Sequence, residues 1–337
     1  MEYNFFLRPF FWFTKFGLSI LYILRDLYHR PDRNAVEGPN PTPLTADKLT
    51  MTTGPDLPSH RYEFGAAAAG KILYVAGGIF QPSVWLPTRR FEAFNTETNQ
   101  WMVKASLPYV VHHPGVTSDG RHIYVIGGCG IRITPLSHVA RYNPKTDKWT
   151  LLRPMPTRRG ALGAVCIDSK IYAIGGADYN KKFNVLECYD IPTNTWTTLA
   201  PMPTPREHLA VAACSGKLHV LGGYNTDRFG SLTSHEIYDP KTGAWETRAP
   251  LPMRLCGFAA GSIGTSIFTF GGEQGWAVVP YVFEFNTKTG TWHRHPDLRA
   301  ARYAAAAAEN ENRIHVLGGN IRMFSDDFSF HHDIFSR

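Results

Sequence analysis

The sequence predicts an all-β fold made of six similar four-stranded units, and three observations support that prediction. Glycine pairs recur along most of the chain at intervals of 47 to 50 residues. In five of the units, a Trp follows a Tyr or Phe by seven residues. Hydrophobic residues make up 43% of the 337 residues and aromatic residues 13%, which is enough for a large core. The six glycine pairs are Gly77-Gly78, Gly127-Gly128, Gly175-Gly176, Gly222-Gly223, Gly271-Gly272 and Gly318-Gly319.

Every unit shows the same order of strands. An apolar run of small residues, such as 209–213, forms the first strand, and an alternating run, such as 171–174, forms the second and ends at the glycine pair. A third strand ends in the Tyr or Phe, a polar turn follows, and the Trp begins the fourth strand. A single four-stranded sheet cannot bury both of its faces, so the units must stack. Radial stacking gives a six-bladed β-propeller, whose crowded centre explains the glycine pairs.

The two ends of the repeat region predict how the ring closes. The sixth unit has its glycine pair and a last strand near 332–335, but no Trp follows. Met51 precedes a Pro by seven residues, just as Trp196 does in the third unit. We therefore expect a strand near residues 49–53 to complete the C-terminal blade, with Met51 in the position that Trp takes elsewhere. This closure would remove the exposed edge of an open ring.

The pattern of the units resembles the Kelch repeat. The resemblance is clearest in the third unit, where Ile171-Tyr172-Ala173-Ile174-Gly175-Gly176 is followed by Cys188-Tyr189-Asp190, Trp196 and Pro201-Met202-Pro203. Six copies in phase extend the resemblance over residues 49–337. It implies a Kelch propeller, but Kelch proteins share an architecture and differ in function, so the resemblance supplies no activity.

Residues 1–30 differ in composition from the rest of the chain and predict an amphipathic or membrane-anchoring helix. Residues 10–24 are almost wholly apolar, and the polar exceptions follow a helical spacing. An anchor lying in the membrane plane through residues 9–27 is the first interpretation, and a single-span helix is the second. A helix packed on a partner protein or on the propeller is the third. Residues 31–48 are predicted to be a linker, which leaves 49–337 as the propeller.

Composition and cysteine usage exclude several classes of function. The formal net charge of +7 is not concentrated in a basic run, which argues against nucleic-acid binding. The five cysteines are odd in number and include no Cys-x-x-Cys motif, so we expect no disulfide framework. This favours a reducing compartment such as the cytoplasm for the propeller. We expect the propeller to be monomeric. His331 and Asp333 would share one face of a strand, but two ligands are too few for a metal site. No phosphate loop or dinucleotide fingerprint occurs, and we expect no cofactor.

Residues just before each innermost strand are predicted to surround the mouth of the central channel. Four arginines recur at the first of these positions and could together bind a carboxylate or a phosphate. An Arg at this position in Kelch repeats is also structural and bridges neighbouring blades, so both interpretations stay open. Tyr62 and Tyr303 occupy the next position in their repeats and are candidate ligand-binding residues. The four arginines are Arg61, Arg159, Arg206 and Arg302.

The same ring of residues carries candidate acid–base groups. Glu207, His208 and His112 are the predicted catalytic residues, and His113 belongs to the same set. Kelch propellers of the N-acetylneuraminate epimerase type are similar in blade number. That resemblance implies an isomerase, or mutarotase, in which Glu207 would be the base and the arginines would hold the carboxylate of a sugar acid.

Loops after the glycine pairs supply the remaining candidates. Trp85 and Trp276 are the two tryptophans of the repeat region that fall outside the repeated Trp position, and both lie in such loops. Large aromatic side chains in loops on a rigid scaffold often bind ligands, although packing on a neighbouring loop is the alternative. Arg228 and Glu273 lie in equivalent loops and are also predicted to bind a ligand.

Three functions follow from these observations. The first is a membrane-associated recognition module that binds a partner protein or a small anionic ligand over the channel mouth. The second is the sugar-acid isomerase, and the third is an accessory subunit of a membrane complex. A channel pocket in which Glu207 faces arginine side chains would favour the isomerase. Packing of Tyr62 and Tyr303 across the channel, beneath a basic rim, would favour partner binding.

Overall fold

Almost all of the regular secondary structure in the described residues is β-strand. The predicted helix at 1–30 and the linker at 31–48 lie outside the described residues. A short 3-10 helix spans Ile131–Ile133. Within the described part of the chain, no helix combines the length and the apolar character needed to cross a bilayer. The computed structural model describes residues 49–81, 86–179, 181–225, 230–275, 277–323, 325 and 327–337.

Six antiparallel sheets of four strands, which we number as blades 1 to 6, form the body of the protein. Blade 1 contains Gly65–Ala69, Ile72–Ala76, Phe91–Asn95 and Gln100–Val103. Blade 2 contains Gly115–Ser118, Ile123–Ile126, Val139–Asn143 and Lys148–Leu151. Blade 3 contains Gly163–Ile167, Lys170–Ile174, Leu186–Asp190 and Thr195–Leu199.

The remaining blades repeat the same order. Blade 4 contains Ala210–Cys214, Lys217–Leu221, His235–Asp239 and Ala244–Thr247. Blade 5 contains Ala259–Ile263, Ser266–Phe270, Val282–Asn286 and Thr291–His295. Blade 6 contains Ala306–Asn310, Arg313–Leu317, His332–Ser336 and Thr50–Thr53. Short two-stranded pairs extend three of the loops: Ile79–Gln81 with Leu86–Pro87, Tyr224–Asn225 with Gly230–Ser231, and Glu273–Gln274 with Ala277–Val278.

The ring closes as the sequence predicted. Strand Thr50–Thr53 from the N-terminal side pairs with His332–Ser336, so the two ends of the repeat region share blade 6. Met51 lies opposite Phe335 in this pairing, which is the register that Trp196 and Tyr189 have in blade 3. The six-bladed propeller of four-stranded blades is therefore confirmed, including the strand that closes it.

Glycine pairs occur where neighbouring blades approach the axis. Gly175 and Gly176 have φ values of +63° and +92°, which favour glycine. A Cβ on Gly175 would lie 2.8 Å from the carbonyl oxygen of Arg206 in the next repeat, and a Cβ on Gly176 would lie 2.6 Å from the carbonyl oxygen of Gly160. The Gly176 N–H donates to the same Arg206 carbonyl at 2.9 Å. The pair thus links consecutive blades through the backbone, and a side chain at either position would break the link.

The repeated tryptophans join the blades farther from the axis. Trp196 packs on Tyr189 of its own blade, with ring centroids 5.1 Å apart, and its indole N–H donates to the Arg153 carbonyl of the preceding repeat at 3.0 Å. The other four repeated tryptophans make equivalent bonds at 2.8 to 3.1 Å. Each Trp therefore fills the space between two sheets and satisfies its polar atom there.

A closed circle of backbone hydrogen bonds surrounds the axis. One residue from each blade donates its N–H to the carbonyl of its counterpart in a neighbouring blade, at 2.7 to 3.2 Å, and the sixth bond returns to the first residue. All six residues have φ between +49° and +59°, although only one of them is glycine. Such a conformation costs an ordinary residue about 1 kcal/mol or more, and the circle of bonds holds it in place. The six residues, which we call the axial ring, are Glu63, His113, Ala161, His208, Gly257 and Ala304.

Candidate functional site

The four predicted arginines lie inside their blades. The side chain of Arg159 is fully buried, and its Nη1 donates to Glu187 Oε2 at 2.6 Å and to the Thr157 carbonyl at 3.1 Å. Its Nη2 donates to the Ala173 carbonyl at 3.0 Å. The same arrangement joins Arg61 to Glu92, Arg206 to Glu236, and Arg302 to Asp333. Each of these arginines ties its own blade together through its side chain. Arg159, Arg206 and Arg302 also accept a backbone hydrogen bond from the glycine pair of the preceding blade and so connect the two blades.

Internal comparison of the repeats supports the structural interpretation. Blades 2 and 5 have Val111 and Leu255 in place of the Arg, and both are buried. In the same two blades, Ala140 and Phe283 stand where the other blades have the acidic partner. The base and the acid are thus present together or absent together. A ligand clamp built from arginines would need no such partner, so we do not include these four side chains in the candidate site.

Tyr62 and Tyr303 pack against each other beside the axis. Their ring centroids are 6.1 Å apart in an edge-to-face arrangement, and Phe328 contacts Tyr62 at 6.1 Å. Both tyrosines are buried. The two tyrosines come from the neighbouring blades 1 and 6, so this contact packs one blade on the next.

Three side chains of the axial ring converge on the axis. Glu63, His113 and His208 come from blades 1, 2 and 4, yet one ligand atom from each lies within 4.8 Å of the others. His113 Nε2 is 3.1 Å from Glu63 Oε2, and His208 Nε2 is 3.9 Å from Glu63 Oε1. The side chains of Glu63 and His113 are 12% and 9% exposed, and that of His208 is 28% exposed, so the group is accessible mainly at His208. We call these three residues the axial triad.

Burial sets the charge of the triad. It lowers the pKa of His113 to about 4 and lowers the pKa of His208, although Glu207 acts in the opposite direction on both. Burial raises the pKa of Glu63, against the effect of His208. Both imidazoles are therefore neutral near pH 7 and can offer a lone pair.

Two further predicted residues flank the triad. Glu207 forms an ion pair with Lys182, and its Oε2 lies 3.7 Å from His208 Nδ1. His112 is buried, contacts His113 through the two Nδ1 atoms, and has a pKa that burial lowers to about 3. The predicted catalytic residues His112, Glu207 and His208 therefore all lie beside or within the axial triad, and their catalytic role stays a prediction. The isomerase prediction required Glu207 to face arginine side chains, but Glu207 pairs with Lys182, and each of the four arginines pairs with an acidic residue of its own blade.

Glu63 was not among the candidate site residues predicted from the sequence. It stands in the same repeat position as His113 and His208, and that alignment was the one available signal. The alignment placed this ring of residues around the channel mouth, but it could not show that the side chains of blades 1, 2 and 4 would come within 4.8 Å of one another. Of the two C-terminal residues considered for a metal, His331 and Asp333, the second pairs with Arg302 and Arg299.

The loops between each glycine pair and the third strand, which we call the rim loops, carry an exposed apolar surface. Nine large hydrophobic side chains are exposed among the described residues, and six of them lie on rim loops. The other three, Met51, Val103 and Leu151, lie on outermost strands. The six on the rim are Phe80, Leu86, Ile131, Ile133, Tyr179 and Ile321.

Cations accompany these side chains. Arg132 is exposed between Ile131 and Ile133, and Arg322, whose side chain is 77% exposed, follows Ile321. The Tyr179 hydroxyl donates to the Arg132 carbonyl at 3.0 Å, so the rim loops of blades 2 and 3 support each other. Arg322 Nε lies 3.6 Å from Asp327 Oδ2. The rim therefore mixes apolar contact area with positive charge.

The other predicted rim residues fall into two groups. Glu273 is half-buried, and its Oε1 accepts a hydrogen bond from the Cys256 thiol at 3.1 Å, so it belongs to the base of its loop. Trp85, Trp276 and Arg228 lie outside the described residues, and their predicted role in ligand binding stays a prediction.

Comparison with known families agrees with the repeat structure. Residues 108–251 match the KLHDC2/KLHL20/DRC7 Kelch-repeats domain. Residues 60–108 and 254–299 match the Kelch motif. Together these matches fall in five of the six blades, from the start of blade 1 to the end of blade 5.

Individual proteins give the same result. The chain is 32% identical to Kelch-like protein 40 of Xenopus laevis over 148 residues, which cover 44% of this chain and 24% of that protein. It is 29% identical to Kelch-like protein terF of Aspergillus terreus over 316 residues, covering 84% of this chain and 66% of terF. The solved structure of YjhT shares the fold with a TM-score of 0.71 at 16% identity, over 85% of this chain and 96% of YjhT. The chain belongs to the Kelch-repeat β-propeller family.

Proposed function

We propose that this protein is a membrane-associated recognition module whose rim loops bind a partner protein. The observation that carries the proposal is the concentration of exposed hydrophobic side chains on one face. Scattered surface hydrophobics need no explanation, but a group of them around one opening is typical of interaction sites. The relatives support the same class of function, since a Danio rerio relative, 31% identical over 117 residues, is named Kelch-like ECH-associated protein 1A.

The chemistry of the rim indicates what kind of partner would fit. Ile131, Ile133 and Tyr179 offer apolar and aromatic area, and such side chains dominate the centre of protein interfaces. Arg132 and Arg322 would favour an acidic partner by charge complementarity. We therefore expect a protein segment that carries apolar and acidic side chains together. A small anion alone would leave the apolar area exposed.

Site-specific photo-crosslinking in cells tests the proposal. A photoreactive residue is placed at position 131 or 179 on the rim, and at position 103 or 151 on the outer strands as a matched control of similar exposure. We expect both rim positions to capture the same partner and the outer positions to capture none. Binding of that purified partner should then weaken about 10-fold or more in Tyr179→Ala, and little in Val103→Ala. Equal capture from the outer strands would refute the proposal.

Membrane association is the second part of the proposal and rests on residues 9–27. Their Phe-rich apolar composition with flanking cations suits the membrane interface. Cell fractionation without detergent compares the full chain with a chain that lacks residues 1–34. We expect the full chain to sediment with membranes and the shortened chain to stay in the supernatant. A shortened chain that still sediments with membranes would contradict an N-terminal anchor and leave the rim proposal standing.

A further inference from the structure

We propose that the axial triad of Glu63, His113 and His208 binds a divalent transition metal ion, with zinc as the best fit. The inference goes beyond partner binding at the rim and does not depend on it. A carboxylate and two imidazoles, with an exchangeable fourth position, form a donor set that zinc uses in open sites. These three residues provide that set from three different blades.

Distances within the triad suit such an ion. Ligand atoms around a tetrahedral zinc ion are about 3.4 Å apart, given metal–ligand distances of about 2.1 Å. Glu63 Oε2 lies 3.1 Å from His113 Nε2 and Glu63 Oε1 lies 3.9 Å from His208 Nε2, while one ligand atom from each of the three residues lies within 4.8 Å of the others. Because the backbone of all three residues is fixed by the circle of hydrogen bonds, only side-chain adjustments are needed to bring the donors onto one ion.

Hydrogen bonds around His113 favour a cation beside it. The Nδ1 atoms of His112 and His113 meet, so one of the two nitrogens donates a proton and the other accepts it. In the tautomer in which His112 Nδ1 accepts the proton of His113 Nδ1, His113 Nε2 carries a lone pair. His113 Nε2 then directs a lone pair toward the Glu63 carboxylate, 3.1 Å away. Two acceptors this close need a proton or a metal ion between them.

Neighbouring side chains would support the ligands from outside. His112 fixes the ring of His113, and Glu207 lies 3.7 Å from the second nitrogen of His208. Carboxylates and other acceptors in these places commonly orient the imidazole ligands of metal ions. The remaining members of the axial ring are Ala161, Gly257 and Ala304, whose small side chains offer no competing ligand atom. A water molecule or a ligand oxygen could take the fourth position there.

Metal titration of the full chain, purified without a histidine tag and stripped with EDTA, tests the proposal. Zinc binding is measured by isothermal titration calorimetry, and cobalt binding by the visible absorption that imidazole and carboxylate ligation produces. We expect one ion per chain, and binding weakened more than about 100-fold in His113→Ala and His208→Ala. His112→Ala should weaken binding about 10- to 100-fold, as loss of an outer partner does. Magnesium should not compete, because it prefers oxygen ligands.

Matched variants keep the test decisive. Ala161 and Ala304 already occupy the axial ring with φ of +52°, so Ala is compatible with the backbone at positions 113 and 208. His138→Ala removes an exposed imidazole that stacks on Tyr109 and should leave metal binding unchanged. The proposal fails if the wild-type chain binds neither zinc nor cobalt. It also fails if His113→Ala and His208→Ala, shown to be folded by circular dichroism, bind either ion as the wild type does.

Discussion

The blade interiors and the axial ring both contain buried or half-buried titratable side chains, but they hold them differently. Inside the blades, Arg159 and Glu187 form a pair that recurs in four of the six repeats and is missing as a pair from the other two. In the axial ring, a titratable residue stands at only three of the six equivalent positions, Glu63, His113 and His208, and these three contact one another across blades. The charged pairs that recur from blade to blade thus stabilise the fold, whereas the titratable residues that do not recur form the candidate site.

The largest effect should come from breaking a pair inside a blade. Arg159→Val leaves the Glu187 carboxylate buried without its guanidinium partner, and such a loss costs about 3 to 5 kcal/mol of unfolding free energy. Urea denaturation at pH 7 measures it. The double variant Arg159→Val/Glu187→Ala copies the Val111 and Ala140 combination of blade 2 and should recover most of the loss. A double variant less stable than Arg159→Val would show that the pair is not a self-contained unit.

A second prediction concerns histidines inside the blades, whose protonation should limit stability at low pH. His219 Nδ1 lies 3.0 Å from His235 Nε2, and burial lowers their pKa values to about 4 and about 3. The unfolded chain, with histidine pKa values of about 6.5, binds more protons below that pH. Folding stability should therefore be fully present above about pH 6.5 and fall as the pH drops toward 4, by on the order of 3 kcal/mol per ring at pH 4.

Blade 3 supplies the control for this pH dependence. Its Tyr172 and Leu186 stand in the positions of His219 and His235, so His219→Tyr/His235→Leu transplants an existing pair. Unfolding free energies of this variant and the wild type are compared at pH 7 and pH 4. We expect the variant to lose less stability between the two pH values. The same loss in both proteins would mean that this histidine pair does not titrate on unfolding.

The repeat made most of the fold predictable from the sequence. Glycine pairs, the Trp spacing and the position of Met51 each report a local constraint that recurs once per blade. For example, Gly175 must be glycine because the Arg206 carbonyl approaches it, and Met51 faces Phe335 as Trp196 faces Tyr189. Constraints of this kind can be recognised in a single amino-acid sequence because every repeat makes the same contacts.

Predicting the candidate site was harder, because it depends on contacts between blades. The alignment identified His112, Glu207 and His208, but it could not show that Glu63 reaches across the axis to His208. It also left the direction of the arginine side chains open. That direction was set by the acidic partner on the third strand of the same blade, such as Glu187 for Arg159, which the sequence interpretation did not pair with the Arg.

The smallest effect on stability should come from the axial triad itself. His208→Ala removes a side chain that is 28% exposed, and its neighbours Glu207 and Glu63 keep access to Lys182 and His113. Since Ala adopts the same positive φ elsewhere in the ring, we expect the unfolding free energy in the absence of metal to change by less than about 1 kcal/mol. Urea denaturation in EDTA, beside Arg159→Val, makes the measurement. A loss of unfolding free energy as large as that of Arg159→Val would show that His208 stabilises the fold as the buried Arg does. The contrast drawn between the axial ring and the blade interiors would then be wrong.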